Sequence, residues 1–379
     1  MRVEQFAMER MQSTWENLVD VNLSESGVHP MTPRELLQDT DLDVVLDQAL
    51  VYTQSNGTEE LRSLIANLYA NSSRDHVQVT NGGSEANYIS VWRLVEPGDE
   101  VVMLVPNYMQ TWGLVRAFGG IIREWPLVED RDAGRWRPDL EALARLVTDK
   151  TRLILICTPN NPTGATLSAA ELDEIARIAE RHGAWVLSDE VYRGAELADE
   201  ETPSMWGRCE RVIVTSGLSK AYGLPGLRIG WITAPPAFVA STWAYHDYTT
   251  IAPGALSDRL ARVALGPERR SWILARTRRI VRENLPLVEE WLHAHDPMFS
   301  WIAPRAGAIV YVRYHYPINS TELVTRLRDE KSVLVVPGDH FGMDGYLRLG
   351  FGERPDYLGQ GLERLHSLLD SLSDAHART

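Results

Sequence analysis

Short apolar segments alternate with helical patterns through the first two thirds of the chain, and this alternation narrows the possible folds more than any other feature. The segments Val101–Val105, Leu153–Cys157, Trp185–Leu187 and Val212–Val214 are apolar at successive positions, which is typical of strands covered on both faces. Ser168–His182 has apolar residues three and four apart, an N-cap serine with a glutamate three residues later, and a glycine after its end. Strands that alternate with helices predict an α/β fold with a mostly parallel sheet.

After about residue 255 the pattern changes to long helical stretches followed by short alternating runs. The stretch Leu256–His293 is rich in arginine and is interrupted at Gly266-Pro267. The alternating runs are Ala308–Tyr314, Val333–Val336 and Tyr346–Leu349. These patterns predict a large domain at residues 45–285 and a smaller α+β domain made of residues 286–379 and residues 1–44, which act as an N-terminal arm.

Composition and charge exclude several classes of partner. The 379 residues carry a formal charge of −14, which repels nucleic-acid phosphates, so we expect no nucleic acid partner. No apolar run approaches the roughly 20 residues that cross a bilayer, and the N-terminus lacks the pattern of a secretory signal, so we expect a cytoplasmic protein without membrane contact. Cys157 and Cys209 are the only cysteines, and their spacing predicts neither a metal site nor a disulfide framework.

The chain contains only three lysines, and one of them has an unusual setting. Lys150 and Lys331 each lie among charged residues before an apolar run, as surface lysines do. Lys220 instead follows a buried strand and a turn of small residues, with Arg228 eight positions later. A lysine in a partly dry cleft can lose its proton and attack a carbonyl group. An arginine beside it can hold a phosphate through paired hydrogen bonds.

The segment from Ser216 to Gly230, SGLSKAYGLPGLRIG, resembles the lysine signature of the class I and II aminotransferases, the aspartate aminotransferase-like group of fold-type I pyridoxal 5′-phosphate (PLP) enzymes. The resemblance implies a large domain with a seven-stranded sheet, a PLP Schiff base on Lys220 and a cofactor phosphate held by Arg228. Ser216 and Ser219 each offer a hydroxyl to that phosphate. Because Gly217 stands where several relatives have serine, the choice between the two serines stays open.

Further segments match the family's cofactor site in the same order along the chain. Thr80–Asn87 opens a helical segment, where small residues let backbone N–H groups approach a phosphate. The resemblance implies that Gly83, Ser84 and Glu85 form this phosphate cup, partly through the main chain. Tyr108 follows a predicted strand, and the resemblance implies that its ring stacks on the pyridine ring. From these residues alone, an ordinary capped helix is the favoured interpretation of Thr80–Asn87, and core packing explains Tyr108 equally well.

Two more segments place polar residues after strands. Asp189 follows Trp185–Leu187, where an unpaired acid would be costly, and pairing with a pyridinium nitrogen would satisfy it. The resemblance implies that Asn161 and Tyr192 contact the phenolic oxygen of the cofactor. We therefore expect Lys220, Asp189 and Tyr192 to be the catalytic residues.

Substrate and subunit contacts rest on the resemblance alone. It implies that Arg348 binds the α-carboxylate of the substrate, with Asn161 and Gly27 beside it, and that Tyr52 reaches the cofactor phosphate of a partner subunit in a homodimer. Near Gly27 the family pattern is broken by Val28-His29. This stretch is similar to that of capreomycidine synthase, which acts on a hydroxylated arginine. Glu25 could then pair with a cationic substrate side chain, although we expect a solvated loop acid.

The sequence thus predicts a PLP-dependent aminotransferase that acts on an amino acid and a 2-oxo acid. One alternative keeps the cofactor but changes the reaction, to a cyclase, lyase or oxidase of an arginine-like amino acid. Another is a non-catalytic regulator or scaffold, although little chain precedes Tyr52 for the DNA-binding module of such regulators. A metal hydrolase would depend on His293 and His295, which we expect to be exposed, so no metal site is predicted.

Overall fold

Strands and helices alternate through most of the computed structural model, which describes residues 2–38 and 42–377. The strands are β1 (Val21–Asn22), β2 (Val77–Thr80), β3 (Glu100–Val105), β4 (Ile121–Asp130), β5 (Arg135–Pro138), β6 (Thr151–Cys157), β7 (Trp185–Asp189), β8 (Val212–Gly217), β9 (Gly230–Thr233), β10 (Phe299–Trp301), β11 (Ile309–Tyr314), β12 (Val333–Leu334), β13 (Val336–Pro337) and β14 (Tyr346–Gly350). The helices are α1 (Ala7–Trp15), α2 (Pro33–Leu37), α3 (Asp43–Leu46), α4 (Glu59–Ala66), α5 (Gly83–Leu94), α6 (Gln110–Ala117), α7 (Leu140–Leu146), α8 (Ala169–His182), α9 (Pro236–His246), α10 (Ala255–Leu265), α11 (Pro267–Ala294), α12 (Ser320–Lys331) and α13 (Pro355–Ala377).

The large sheet has eight strands in the order β2-β9-β8-β7-β6-β3-β4-β5. The five neighbours β8, β7, β6, β3 and β4 are parallel to one another, while β9 and β5 pair antiparallel with their neighbours. The α/β fold with a mostly parallel sheet is therefore confirmed. The sheet has one strand more than the predicted seven, since the short strand β5 folds back against β4 as a hairpin.

Both faces of the large sheet are buried, as the apolar runs predicted. Alternate residues of one strand point to opposite faces. Val102 and Leu104 of β3 belong to one hydrophobic core, whereas Val101 and Met103 belong to a second core on the other side. Each face therefore needs apolar side chains at every second position, and the two sets together give a continuous apolar run.

Helix α8 shows why the local sequence signals were reliable. The side chain of Ser168 accepts from the backbone N–H of Glu171, and the Glu171 side chain accepts from the backbone N–H of Ser168. Gly183 ends the helix in the left-handed conformation, with φ of 66°. The predicted capping box and C-terminal glycine are both confirmed, and they define where the preceding loop ends.

A second, smaller sheet has the order β10-β11-β14-β13, with antiparallel pairs throughout. Beside it the N-terminal strand β1 pairs parallel with β12, so that Val21 lies opposite Val333. Helices α11, α12 and α13 pack with these strands around a third hydrophobic core. No helix in the described part of the chain is long and apolar enough to span a membrane.

The predicted domain boundaries at residues 44/45 and 285/286 stay a prediction. The second boundary falls within α11, which continues through Pro286 to Ala294. Residues 1, 39–41 and 378–379 of the predicted smaller domain lie outside the described residues.

Candidate active site

A cavity of about 310 Å³ lies where the carboxyl ends of the central strands meet the N-terminus of α5. In the sheet order, β3 and β6 are neighbours from which the chain continues in opposite directions, and ligands of open α/β sheets bind at such a point. Most of the predicted site residues line this one cavity. They are Gly83, Ser84, Tyr108, Asn161, Asp189, Tyr192, Ser219, Lys220, Arg228 and Arg348.

Lys220 follows β8 and projects its amine towards a carboxylate. The Nζ atom of Lys220 lies 3.1 Å from Oε2 of Glu25, and the lysine side chain is 25% exposed. Burial alone would lower the pKa of Lys220, but Glu25 and Tyr192 together outweigh it and raise that pKa. Chiefly because of the same ion pair, the pKa of Glu25 is lowered, although burial opposes this shift. The pair therefore favours the charged form of both groups.

The expectation that Glu25 is a solvated loop acid holds only in part, because its side chain is 44% exposed but is paired with Lys220. The segment that carries it is fixed between β12 and β14, because Leu23 N donates to Leu334 O and Gly350 N donates to Leu23 O. At Gly350 the backbones approach so closely that a Cβ would lie 2.1 Å from Glu25 O. Its position two residues before Gly27 was the sequence signal that could have indicated a role at the site.

Asp189 ends β7, where it is partly buried and lines the cavity. Its Oδ2 accepts from Asn87 Nδ2 at 2.8 Å, and its Oδ1 accepts from the backbone N–H of Val191 at 3.1 Å. Burial raises the pKa of Asp189, and these two donors oppose that shift. Asn87 is in turn held by Thr215, whose hydroxyl donates to Asn87 Oδ1 at 2.7 Å. Asn87 was not predicted as a site residue, although it closes the predicted phosphate-cup segment.

The N-terminus of α5 lies against Arg228. The Nη1 atom of Arg228 donates to Ser219 Oγ at 3.4 Å and to the carbonyl of Pro225 at 3.2 Å. Gly82 precedes the helix with φ of +87°, and a Cβ there would lie 2.2 Å from Arg228 Nη2. Ser219 lines the cavity, whereas the hydroxyl of Ser216 is turned away and donates to the carbonyl of Glu190 at 3.2 Å.

The carboxylate of Glu85 is engaged behind the cup and does not line the cavity. It accepts hydrogen bonds from the backbone N–H of Asn81 and from the Thr250 hydroxyl, and lies 3.4 Å from Nε2 of His246. Burial opposes ionisation, but hydrogen bonds from His246, Thr249, Asn81 and Thr250 outweigh it and lower the pKa of Glu85 to about 2. Any contact of Glu85 with a ligand at the cup is therefore left to its main chain.

Arg348 reaches the cavity from β14 and is only 1% exposed. Its Nη1 donates to Asn161 Oδ1 at 2.9 Å and its Nη2 donates to the carbonyl of Ser24. Its Nε has no hydrogen-bond partner among the described residues. Burial lowers the pKa of Arg348, yet an arginine stays charged under ordinary conditions, so this guanidinium retains the capacity to bind an anion.

Tyr192 and Tyr108 complete the wall around Lys220. The Tyr192 hydroxyl donates to Ser26 Oγ at 2.7 Å, and burial raises its pKa, although Lys220 and Arg348 oppose the shift. The Tyr108 ring lies edge-on to Phe6, 5.2 Å away between centroids. Its hydroxyl donates to Glu9 Oε1 at 2.8 Å.

Helix α1 contributes residues that the sequence did not predict. Met8, Glu9, Gln12, Ser13 and Glu16 of this segment all line the cavity. Gln12 anchors the helix by donating to the carbonyl of Ser24 at 2.8 Å. No motif pointed to α1, because its contacts are made with residues far along the chain.

The remaining predicted residues lie outside the cavity wall. Gly27 packs behind Lys220, where a Cβ would lie 3.4 Å from Lys220 Cδ. Val28 is buried in a core, and Nδ1 of His29 lies 2.9 Å from Nη2 of Arg276. Tyr52 is 87% exposed.

The chain was compared with known families, proteins and structures. The family model for aminotransferase class I and II matches residues 27–365. Capreomycidine synthase from Streptomyces vinaceus is 33% identical over 94% of this chain and 90% of that protein. An aspartate aminotransferase from Streptomyces avermitilis is 30% identical over 85% of this chain and 82% of that protein. The crystal structure of a PLP-dependent aminotransferase from Streptococcus suis superposes with a TM-score of 0.91, at 32% identity, over 98% of this chain and 99% of that one.

The close approach at the α5 N-terminus predicts a steric effect that can be separated from backbone strain. Gly82→Ala and Gly98→Ala both put a side chain at a positive φ, near +90°, which costs about 1–3 kcal/mol of unfolding free energy. Only Gly82→Ala also collides with a neighbour, since nothing lies within 4 Å of a Cβ at residue 98. We expect urea unfolding to show at most about 1 kcal/mol more loss for Gly82→Ala than for Gly98→Ala, because the guanidinium of Arg228 is the end of a flexible side chain and can move aside. A loss several kcal/mol larger for Gly82→Ala would contradict this freedom of Arg228 to move.

Proposed function

The chain belongs to the class I and II aminotransferases and is a PLP-dependent enzyme of fold type I, and on this premise we propose that it moves the amino group of an amino acid to a 2-oxo acid with Lys220 as the residue that carries the cofactor. The observation that supports this assignment is the convergence of Lys220, Asp189, Asn161 and Arg228 on one cavity. Spacings in the sequence alone did not require these side chains to meet.

Three charged groups in the cavity lack a partner of opposite charge among the described residues, and PLP and an amino acid would supply these partners. Asp189 is a partly buried acid with hydrogen-bond donors but no cation beside it among the described residues, and a protonated ring nitrogen would supply one. The hydrogen bonds of the Arg228 side chain within the described part of the chain go to a hydroxyl and a carbonyl, and a phosphate would supply its anion. Arg348 has a free, buried Nε that a carboxylate would engage. The donor set therefore fits the cofactor and its substrate.

PLP, when bound, withdraws electrons from the Cα of the substrate and so makes its proton removable. We assign Lys220 to take this proton from Cα of the substrate and to deliver it to C4′ of the cofactor. Asp189 keeps a positive charge on the ring nitrogen, and Asn87 orients Asp189. Asn161 and Tyr192 are assigned to the phenolic oxygen, and Tyr108 to the face of the ring.

The phosphate would be held by Arg228, Ser219 and the free backbone N–H groups of Gly83, Ser84 and Glu85, because a helix N-terminus favours an anion. Ser216 is the weaker candidate since its hydroxyl is bonded elsewhere. Arg348, positioned by Asn161, would bind the α-carboxylate of the substrate. Gly27 would act indirectly, by leaving room for the lysine stem.

A second reaction at the same site has one observation in its favour. A carboxylate 3.1 Å from Lys220 stabilises the protonated lysine after it has taken the Cα proton, and so slows the return of that proton. Delayed return favours elimination, cyclisation or oxidation, and one relative is named as a synthase. Analysis of products separates these outcomes, because only transamination gives a 2-oxo acid and aminates an added acceptor.

A homodimer is proposed from the surface around Tyr52. Seven of the exposed large apolar side chains fall in two stretches of chain, 46–52 and 248–256. They are Leu46, Leu50, Val51, Tyr52, Tyr248, Ile251 and Leu256. The two stretches are neighbours, since the Thr53 hydroxyl donates to the carbonyl of Pro253 at 3.0 Å. An apolar surface of this kind fits burial against a second copy of the chain, which would bring Tyr52 to the partner's phosphate site.

The role of Lys220 predicts a spectral result. The wild-type protein with PLP should show an absorption band in the violet region that borohydride removes, and Lys220→Ala should lack that band. Turnover of the variant should fall by about 10³-fold or more, because the base and the attachment point are both lost. Lys150→Ala, which changes an exposed lysine, is the matched control and should behave as wild type. A fully active Lys220→Ala would refute the assignment.

The ion pair predicts a pH effect on cofactor attachment. Attachment requires the neutral amine, and Glu25 raises the pKa of Lys220. Glu25→Gln should lower that pKa, so the rate of attachment of PLP to the apoprotein should reach its half-maximum at a lower pH than in wild type. Stopped-flow absorbance over a pH series measures this shift, with Asp132→Asn at an exposed acid as the control. A midpoint that stays constant or moves to higher pH would refute the coupling.

The shared site predicts complementation between two defective variants. Tyr52→Phe removes the hydroxyl assigned to the partner's phosphate site, so it should weaken PLP binding, and Lys220→Ala should be inactive. A co-expressed mixed dimer contains one site with both residues intact, so we expect its activity to exceed that of either variant alone. Activity no higher than the mean of the two parents would argue against a site shared between subunits.

A further inference from the structure

Three carboxylates line the cavity beside Lys220, and they lie close enough to affect one another. Glu9 and Glu16 are seven residues apart at α1, two helical turns, and therefore lie on one face. Glu25 faces them from the segment after β1. Burial, and then the charges of Glu25 and Glu9, raise the pKa of Glu16, so the three residues Glu9, Glu16 and Glu25, here called the acidic wall, lie close enough for their charges to act on one another.

The basic side chains of the cavity are already committed. Lys220, Arg228 and Arg348 are the basic residues among those that line it, and the proposed function assigns them to the cofactor, its phosphate and the substrate α-carboxylate. Among the described residues that line the cavity, no further basic side chain is left to pair with a second carboxylate of the substrate. A donor such as aspartate or glutamate would place its side-chain carboxylate in the field of three acids, and like charges in a partly buried site repel.

The substrate's orientation follows from a second, independent feature. Arg348 lines the cavity, and its buried Nε has no hydrogen-bond partner among the described residues, so the proposed function takes this guanidinium as the group that binds the carboxylate of a ligand. The segment Ser24–Ser26 runs from Arg348, which donates to the Ser24 carbonyl, to Lys220, which pairs with Glu25. An amino acid bound by its carboxylate at Arg348 and by its amine at Lys220 therefore has the acidic wall within reach of its side chain.

Glu25 also loses its ion-pair partner while Lys220 carries the cofactor, which is the state that a substrate first meets. Lys220 is the ion-pair partner of Glu25 among the described residues, and the amine of Lys220 is consumed when it holds the cofactor. The carboxylate is then left with a negative charge in a half-buried position, which is costly without a cation. A cationic group of the substrate would restore the pair.

We propose that the amino donor has a side chain that ends in a guanidinium or ammonium group, and that Glu9, Glu16 and Glu25 bind this group. This inference rests on the proposed function, since it takes the three basic residues as assigned there. A guanidinium offers several donors in one plane and can bridge two carboxylates, whereas an ammonium group bonds as a compact point charge. The acidic wall therefore determines which amino acids the enzyme accepts, and Arg348 determines how they are oriented.

The test measures equilibrium binding of ligands that lack the α-amino group of a substrate. The PLP-loaded enzyme is titrated by calorimetry with 5-guanidinopentanoate, its neutral analogue 5-ureidopentanoate, 6-aminohexanoate and the dicarboxylate adipate. We expect at least one cationic ligand to bind about tenfold or more tightly than the neutral and dicarboxylate ligands, because charge-assisted hydrogen bonds are stronger than neutral ones. The comparison of 5-guanidinopentanoate with 6-aminohexanoate separates guanidinium from ammonium recognition.

Charge-neutral variants assign the effect to the acidic wall. Glu16→Gln and Glu25→Gln keep the size of the side chain, and each should reduce the preference for the cationic ligand several-fold without changing the affinity for 5-ureidopentanoate. Asp132→Asn, at an exposed acid far along the chain from the wall, should leave the preference unchanged. Thermal unfolding of each variant checks that the fold is retained, and the wild-type ligand series decides the question if a variant does not fold.

The outcomes separate this inference from the function on which it rests. If wild type binds 5-ureidopentanoate or adipate as tightly as the cationic ligands, or if both glutamine variants keep the wild-type preference, the inference is wrong while the enzyme can still be an aminotransferase. A protein without the violet cofactor band overturns the proposed function instead.

Discussion

The strands β8, β7, β6, β3 and β4 run in the same direction, so the loops that follow them start from one edge of the sheet. A parallel sheet can be built only if each strand returns through a crossover connection, and here helices provide most of those returns. The polar residues that follow each strand are thereby collected in a single crevice. Lys220, Asp189, Asn161 and Tyr108 share a cavity for this reason, although up to 112 positions separate them along the sequence.

The smaller sheet supplies one of the charged side chains of the cavity. Arg348 comes from β14, and its side chain is held by Asn161 from the loop after β6. Taking an arginine and an aspartate out of water is unfavourable unless partners replace the lost solvent. The protein supplies some of these partners through Asn87, Asn161 and Ser24, and a ligand would supply the rest. A charged ligand therefore binds favourably because it supplies the hydrogen bonds and opposite charges that these side chains lost with the solvent.

Local patterns were sufficient to predict the residues that follow apolar strands. An apolar run followed by a polar residue indicates both a strand and the position where it ends. Asp189 and Lys220 could therefore be predicted to follow strands from the sequence alone. The partly exposed strand β4, with the sequence IIREWPLVED, has no such run, and its hairpin partner β5 was missed with it. Ser219 could not be separated from Ser216, because the choice depends on the direction of each hydroxyl within the turn. The pairing of Glu25 with Lys220, almost 200 residues away, could not be read from the sequence, although its position near Gly27 hinted at the site. No such hint existed for α1, whose Met8 contacts Arg348 more than 300 residues away.

The pairing of β1 with β12 has a consequence for how the protein is made. Val21 leaves the ribosome more than 300 residues before Val333, with which it pairs. The segment that carries Glu25 therefore has no strand to join until β12 has been made, and contacts of such sequence separation form slowly. A nascent chain can build the parallel sheet and still lack one wall of its active site. Catalytic competence would then arrive only with the last strands, so that fragments released early from the ribosome would be inactive.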